Sequence, residues 1–452
     1  MRLAFLCLLP MFVFAQPARF AMVGDAVLTH GAYEALSTMS EEFGARMVGT
    51  EGHTASLNWL EAELVALGLE VRREPFPFPG WTRNENMLEL IAPEARRLPA
   101  AALGYVGAHD TLTAPVAYLD RAGLETLDPA AVSGHVLLLA PNLTFTLDEQ
   151  TLLAQTGIQG LLLTNRIAGN QLLARTSNRT GQPAPFPIFS VTQEDGYAMR
   201  DAVLAGDSVR VRMATTAELS LMMGENLIAT LPGTSGKRVV VGAHFDSWDL
   251  GQGAIDNGTG VAQLLDTARL MATHSPENRH TVEFIWFDAE EHGLWGSRYH
   301  VRRPDLDSVH VMFNLDMVGT PSGLNAMGFD ALVPVLGALD ESLGAWAMTR
   351  PLANEPWAGS DHQPFMAQGV PAVTFYAPFA GETGRHYHST GDTIDKIDPQ
   401  ALAEATALIA ATTHALANDD SGLRRLTVAE TTTMLREAGL EQRMRIMGTW
   451  PE

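Results

Sequence analysis

The sequence predicts an α/β protein: a mixed, mostly parallel sheet with helices on both faces, interrupted by a β-rich insert. From residue 224 onward, apolar runs of strand length alternate with longer segments of helical periodicity, a pattern typical of strands joined by helices. Acidic and histidine clusters follow several of those runs, and functional groups gather at the carboxyl ends of strands in such sheets. Residues 113–213 contain none of these clusters, which indicates a separate module of ordinary domain size.

The N-terminus has the pattern of a secretory signal peptide. Met1-Arg2 is a short positive start, residues 3–14 are almost wholly apolar, and Val13 and Ala15 supply the small residues of a cleavage site. This apolar stretch is too short to cross a bilayer. We therefore predict a leader at residues 1–15 and a mature protein that is secreted or periplasmic, without membrane association.

The cysteine content and the charge exclude further classes. The only cysteine, Cys7, lies inside the predicted leader, where a lipid anchor is the weaker alternative because little apolar sequence precedes it. The mature chain would then have neither disulfides nor thiolate metal sites. The net charge of −22 repels phosphates and excludes nucleic acid as a partner.

Residues 16–112 are predicted to form the first part of a catalytic domain. Two helices are expected within residues 31–69, where leucines recur near the helical period. Pro75, Pro77 and Pro79 are expected to break regular structure before a strand at 87–91.

The insert at 113–213 is predicted from strand-like runs and two helices. Alternation at Val209 to Arg212 predicts an edge strand. The catalytic domain resumes at 214–420, and residues 421–452 are expected to form a helical extension. The predicted strands of the resumed domain are 226–231, 238–243, 281–287, 308–315 and 371–376, and its predicted helices are 259–272, 331–347 and 400–416.

Five side chains at the strand ends have the chemistry of a two-metal hydrolase site. Imidazole and carboxylate are the ligands that zinc takes when thiols are absent. With one bridging carboxylate, five ligands can hold two zinc ions, and two Zn²⁺, three carboxylates and one hydroxide sum to zero charge. The predicted metal ligands are His244, Asp256, Glu291, Asp316 and His388.

Three neighbouring residues are predicted to assist the chemistry. Glu290, next to a ligand, is placed to act as general base on the attacking water. Asp246 is placed to accept the second imidazole N–H of His244 and fix the ring. Tyr387 is expected to donate its hydroxyl to the developing oxyanion.

Each of these residues also has a structural reading when taken alone. Asp256 begins an ordinary Asp-Asn-Gly turn, Asp316 is a possible strand-end cap, and Glu290-Glu291 is typical of a solvated helix start. We expect four other histidines to be polar surface residues: His109, His292, His362 and His386. The metal site is favoured by the whole set in its order along the chain.

Several motifs resemble those of the M28 family of zinc exopeptidases. They are HFDSWDLGQGAIDNG at 244–258, DAEEHGLWGS at 288–297, NLDM at 314–317, GSDHQPF at 359–365 and HYHSTGDT at 386–393. The first is similar to the carboxypeptidase Q branch of the family, whereas GSDHQPF is more similar to bacterial aminopeptidases. Strings at 132–139, 157–165 and 185–196 resemble the protease-associated (PA) domain often inserted in this family.

The resemblance implies a zinc exopeptidase/phosphorylase-like fold and a division of the ligands between two metals. One zinc would take His244, Asp256 and Asp316, and the other Asp256, Glu291 and His388. It also implies His388 rather than His386 as the last ligand, Glu290 as base, and Asp246 as the residue that orients His244.

The predicted function is hydrolysis of unblocked peptides by an aminopeptidase or dipeptidase, through a metal-bridging hydroxide. A carboxypeptidase of the carboxypeptidase Q type stays open because Arg385 lies near the site in sequence and could hold a substrate carboxylate. A single-zinc, glutaminyl-cyclase-like acyltransferase and a non-catalytic binding homologue are two further alternatives. The intact ligand set argues against both. A homodimer formed through the insert is left open.

Overall fold

A computed structural model describes residues 15–451, so the predicted leader lies outside the described residues apart from Ala15, at its end. The helices are α1 (Ala15–Thr29), α2 (Gly31–Thr38), α3 (Glu51–Ala66), α4 (Arg121–Glu125), α5 (Pro129–Val132), α6 (Leu147–Gln155), α7 (Gln193–Ala205), α8 (Thr259–His274), α9 (Trp295–His300), α10 (Val333–Leu343), α11 (His362–Ala367), α12 (Pro399–Ala417), α13 (Val428–Glu437) and α14 (Glu441–Ile446). Among these residues, no helix is long and apolar enough to cross a membrane.

The strands form two sheets. They are β1 (Glu70–Thr82), β2 (Asn86–Ala92), β3 (Arg96–Arg97), β4 (Ala100–Ala102), β5 (His109–Leu119), β6 (Val136–Leu139), β7 (Gly160–Thr164), β8 (Ile188–Val191), β9 (Arg210–Thr215), β10 (Glu218–Leu231), β11 (Arg238–His244), β12 (Thr281–Phe287), β13 (Val309–Asn314), β14 (Gly323–Asn325) and β15 (Ala372–Tyr376). The first sheet has the order β1-β10-β12-β11-β13-β15-β14, and the second the order β3-β2-β9-β5-β6-β7-β8-β4.

The first sheet has a parallel centre and antiparallel edges. Strands β12, β11, β13 and β15 run parallel to one another, whereas β1, β10 and β14 join antiparallel. Val239 and Val241 pack into the core under α1, α2, α8 and α12, and Val240 packs into the opposite core with Phe365 of α11. Strands covered on both faces are continuously apolar, as β11 is. The predicted mixed α/β fold is confirmed.

The prediction that three prolines interrupt regular structure was wrong. Pro75, Pro77 and Pro79 lie within β1, which pairs with β10 through its whole length. The prolines alternate, so the backbone nitrogens of all three point to the same side of the strand, and β1 is the outermost strand of its sheet. An edge strand tolerates proline when the missing N–H belongs to its unpaired side.

The second sheet also differs from the expected insert in two respects. It takes strands from residue 86 onward, because β2 pairs with β9 from Asn86 opposite Thr215, so it begins before the predicted boundary at 113. Strand β9 was predicted as an edge strand but lies between β2 and β5. The alternation of polar and apolar residues in β9 shows that one face of the strand is exposed to solvent. It does not show whether the hydrogen-bonding edge of the strand is paired.

The expected C-terminal helical extension consists of two short helices, α13 and α14. Thr427 caps α13 in a reciprocal capping box with Glu430, which satisfies backbone groups at the start of the helix. The extension closes over the core, because Leu435 and Met444 are fully buried.

Candidate metal centre

Three parallel strands end side by side and bring three of the predicted ligands together. His244 is the last residue of β11, whose neighbours are β12 on one side and β13 on the other. Glu291 follows the end of β12, and Asp316 follows the end of β13. Because parallel strands end at the same edge of the sheet, these side chains share one site.

The other two predicted ligands come from loops that are tied to each other. Asp256 lies in the turn Ala254–Gly258 before α8, and His388 follows the short helix Thr383–His386. The carboxylate of Asp392 accepts hydrogen bonds from the backbone N–H groups of Ile255, at 2.6 Å, and of Asp256, at 3.1 Å. The loop that carries His388 therefore also holds the loop that carries Asp256.

The structure brings all five predicted ligands into two groups that share Asp256. In each group one ligand atom per residue lies within 4.8 Å of the others. In the first group, Nε2 of His244 is 3.1 Å from Oδ1 of Asp256 and 3.5 Å from Oδ1 of Asp316. In the second, Nε2 of His388 is 3.1 Å from Oδ2 of Asp256 and 3.0 Å from Oε2 of Glu291. These distances would let one carboxylate bridge two cations.

The electrostatics of the two groups favour positive charge. Burial alone would lower the pKa of His244, but hydrogen bonds to carboxylates raise that pKa well above its usual value. For His388, burial likewise opposes protonation, and the charges of Glu291 and Asp256 raise the pKa well above its usual value. Carboxylates this crowded need a cation between them, and a divalent metal ion would replace the imidazole protons in that role.

Glu290 is buried beside the two groups. Its side chain is enclosed, and burial raises the pKa of its carboxyl well above its usual value. A raised pKa makes a carboxylate a stronger proton acceptor, which suits the general base that Glu290 is predicted to be.

Asp246 holds the site differently from the prediction. Nδ1 of His244 lies 3.0 Å from the backbone carbonyl oxygen of Asp246, while the nearest carboxylate oxygen is 3.7 Å away. The carboxylate instead accepts the backbone N–H groups of Glu290, at 3.0 Å, and Glu291, at 3.2 Å. Asp246 therefore fixes the imidazole through its main chain and fixes the loop of the two glutamates through its side chain.

Tyr387 lies next to the second group. Its ring centre is 4.5 Å from the ring centre of His388, and Cζ of Arg166 lies 4.8 Å from the centre of the tyrosine ring. The tyrosine ring thus lies beside the candidate ligand His388. The role of its hydroxyl as an oxyanion donor stays a prediction.

Two histidines expected at the surface are in the interior. His292 and His362 are almost fully buried, whereas His109 and His386 are partly exposed. His292 packs between Phe78, Tyr105 and Trp248, next to the candidate ligand Glu291. A single histidine in a loop carries no pattern that would reveal this burial.

Sequence reasoning also missed three polar residues around the site. Arg46 is fully buried and donates to the backbone carbonyls of Phe245 and Gly253, which flank ligand loops. Asp392 holds the Asp256 loop, and Asp361 is fully buried nearby, where burial raises the pKa of its carboxyl to about 7. Asp361 and Asp392 belong to the motifs GSDHQPF and HYHSTGDT. The sequence therefore marked both positions, but it did not indicate what either side chain contacts.

The second sheet also supplies one wall of the site. The loop between β7 and β8 runs alongside the loop of His388: the N–H of Ala174 donates to the His388 carbonyl at 2.6 Å, and Leu173 bridges to Ser389. Gln171 Oε1 accepts the Ser389 hydroxyl at 2.8 Å. Sequence reasoning identified no candidate residue in this module because its loops lack acidic and histidine clusters.

Comparison with known proteins is consistent with this geometry. The model of "Peptidase family M28" matches residues 226–413, which include all five clustered residues. Aminopeptidase YwaD of Bacillus subtilis is 27% identical over 401 residues, covering 85% of this chain and 84% of the relative. Leucine aminopeptidase 2 of Arthroderma otae is 27% identical over 413 residues, covering 84% of this chain and 80% of the relative.

Solved structures show the same fold. A peptidase M28 precursor from Shewanella amazonensis superposes with a TM-score of 0.83 at 22% identity, covering 92% of this chain and 99% of that chain. The zinc aminopeptidase BSAP from Bacillus subtilis superposes with a TM-score of 0.70 at 25% identity, and the match covers 87% of this chain and 96% of that chain. The chain is therefore a zinc metallopeptidase, and its residues 226–413 match the model of peptidase family M28.

Proposed function

We propose that this chain is an exported aminopeptidase that holds two zinc ions and removes N-terminal residues from unblocked peptides. The observation that carries the proposal is the position of Asp256, whose two carboxylate oxygens each lie 3.1 Å from a different imidazole nitrogen. Two three-residue groups thus share one bridging carboxylate. The donors are imidazole and carboxylate without thiolate, a set that suits zinc in a hydrolytic site.

Charge supports two ions rather than one. The clustered carboxylates of Asp256, Glu291 and Asp316 contribute three negative charges. A single Zn²⁺ would leave this buried group negative, whereas two would leave it one positive charge, which a hydroxide from solvent neutralises. The relatives that are named aminopeptidases support the same reaction, and the zinc aminopeptidase BSAP supports the same metal.

The residues around the ligands have positions that suit peptide hydrolysis. When bound, the zinc ions would polarise the scissile carbonyl and lower the pKa of a water molecule. Glu290 takes the proton of that water on its carboxylate and returns it to the leaving amine. Asp246 keeps Glu290 and Glu291 in place through their backbone N–H groups. Tyr387 is assigned the donation of a hydroxyl hydrogen bond to the developing oxyanion.

The test is a peptide panel assayed with and without a chelator. It compares an unblocked peptide, the same peptide with a blocked N-terminus, and the same peptide with an amidated C-terminus. We expect N-blocking and chelation to abolish cleavage, and zinc to restore it after chelation. Cleavage that survives N-blocking would contradict an aminopeptidase, and cleavage that survives chelation would contradict the metal mechanism.

Export is part of the same proposal. The leader predicted at residues 1–15 is tested by N-terminal sequencing of the protein recovered from culture medium or periplasm. An intact Met1 on protein retained in the cytoplasm would contradict it.

A further inference from the structure

The candidate ligand His388 has a backbone conformation that needs support from outside its own loop. Its φ is +60°, in the left-handed region that few residues other than glycine adopt. His388 lies in a turn after the short helix Thr383–His386. By contrast, His244 ends strand β11 and Asp316 follows strand β13, so paired strands carry both. The position of His388 therefore depends on what contacts its turn.

Four residues of the β7–β8 loop, 171–174, contact this turn along its main chain and are here called the clamp. The N–H of Ala174 donates to the carbonyl oxygen of His388 at 2.6 Å. The N–H of Thr390 donates to the carbonyl oxygen of Leu172 at 3.1 Å, and the N–H of Leu172 donates to Oγ1 of Thr390 at 3.3 Å. The clamp thus lies beside residues 388–390 in the way that a short neighbouring strand would.

Gln171 adds side-chain contacts on both sides of His388 in sequence. Its Oε1 lies 2.8 Å from the hydroxyl oxygen of Ser389 and 3.1 Å from Nδ1 of His386, and both of these groups can donate a hydrogen bond. Next to this contact, Leu173 pairs with Ser389 in an antiparallel bridge. One amide oxygen therefore connects the two ends of the turn that carries His388.

The clamp is itself anchored in the core of the second sheet. The N–H of Leu173 donates to Oγ of Ser190, in β8, at 2.8 Å. Nδ2 of Asn165, directly after β7, donates to the carbonyl oxygen of Gln171 at 2.7 Å. Ser190 and Asn165 are both fully buried. The contacts that hold His388 therefore extend to two interior strands of the second sheet.

We propose that Gln171 is a positioning residue for the second ligand group, through which the second sheet holds His388 in place for the metal. The inference rests on the proposed two-zinc function and gives the module of the second sheet a part in it. A residue that supports a metal ligand from behind orients it, and its loss weakens metal binding. His244 and Asp316, which belong to the first group alone, are carried by the ends of β11 and β13 instead. Loss of Gln171 should therefore affect one metal position and spare the other.

The test measures zinc affinity at one position at a time. D316A keeps all three ligands of the second group, and H388A keeps all three of the first. Q171M is added to each, because methionine is about as long as glutamine but lacks the amide oxygen. We expect Q171M to weaken zinc binding by roughly 10-fold to 100-fold in D316A and by less than about 2-fold in H388A. The measurement is a zinc titration against a competing chelator of known affinity, which does not depend on turnover.

Two further variants separate positioning from general destabilisation. Q171E, added to D316A, should retain the zinc affinity of D316A, because a carboxylate oxygen can accept the same two hydrogen bonds. Q159A is the matched control: Gln159 is exposed directly before β7, and its amide donates only within its own turn, to the backbone oxygen of Gly157 at 3.1 Å. Q171M and Q159A should unfold at the same temperature in the presence of chelator.

Three results would overturn the inference. One is a D316A/Q171M protein that binds zinc as tightly as D316A. Another is an equal loss of affinity in D316A and H388A, which would indicate a general effect on the fold. The third is a Q171E variant as weak as Q171M, because the hydrogen-bond acceptor would then be irrelevant. Failure of the proposed function looks different: wild-type protein would be saturated by one zinc ion, or D316A and H388A would bind none, and the inference would fall with it.

Discussion

Removal of Asp256 should empty both metal positions, whereas removal of a ligand from one group should empty only one. In wild-type protein each position would have three protein ligands. D256A leaves two ligands in each group, D316A leaves two in the first group alone, and H388A leaves two in the second alone.

The magnitude follows from the coordination. Loss of a residue that merely supports a ligand weakens metal binding by roughly 10-fold to 100-fold, about 1.4–2.8 kcal/mol, and loss of a ligand should cost at least this much. In D256A the loss applies to both ions, at least about 3 kcal/mol in total. The charge of the carboxylate group also falls from −3 to −2, which weakens attraction for either ion.

The assay is metal content per chain by mass spectrometry after dialysis against a weak zinc buffer. We expect two zinc ions in the wild type, one in D316A, one in H388A and none in D256A, with circular dichroism to verify folding. The E290Q variant serves as control, because Glu290 lies outside both ligand groups, and should retain two.

Three results would refute the reasoning. A wild-type protein saturated by one zinc would exclude the two-ion site. D256A with two bound ions would show that Asp256 does not bridge. D316A without any metal would show that the two positions do not fill separately.

Three further outcomes are expected. E290Q should lower kcat by roughly 10²-fold to 10⁴-fold on an unblocked peptide, and near wild-type turnover would exclude Glu290 as base. D392N should weaken zinc binding by roughly 10-fold to 100-fold, because an amide oxygen can replace only one of the two carboxylate oxygens that hold the Asp256 loop, and unchanged affinity in a zinc titration would contradict that role. Glu74 is buried; burial alone would raise its pKa, but hydrogen bonds from His300 and Asn226 lower it from 4.5 to about 2. Its stabilisation, about 3 kcal/mol, is therefore present above pH 4.5 and is lost as the pH falls toward 2, so the difference in unfolding free energy between wild type and E74Q should shrink over that range. A difference independent of pH would contradict it.

The sequence was informative where one physical constraint dominates. Strand β11 is apolar throughout because both of its faces are covered, and its limits were predicted to within one residue. The candidate ligands could be chosen because metal chemistry demands particular side chains at strand ends, so His244 and Asp316 were candidates before their neighbours in space were known.

The rest depended on contacts between distant parts of the chain. Whether a proline can stand in a strand depends on which side of that strand is paired, and the sequence of β1 does not contain that information. Asp246 was expected to contact His244 through its carboxylate, but the backbone carbonyl is closer and the carboxylate satisfies two N–H groups that arrive from β12. The wall formed by the β7–β8 loop arises from the docking of one sheet against the other.

The three prolines of β1 have a consequence for how molecules meet each other at high concentration. An unpaired strand edge normally offers a ladder of N–H donors on which a second molecule can add its own strand, and this route leads to aggregation. Along Pro75, Pro77 and Pro79 that ladder is missing, although the strand is 13 residues long. Over these residues the edge strand is thereby made unsuitable for pairing with a second molecule, without a row of lysines.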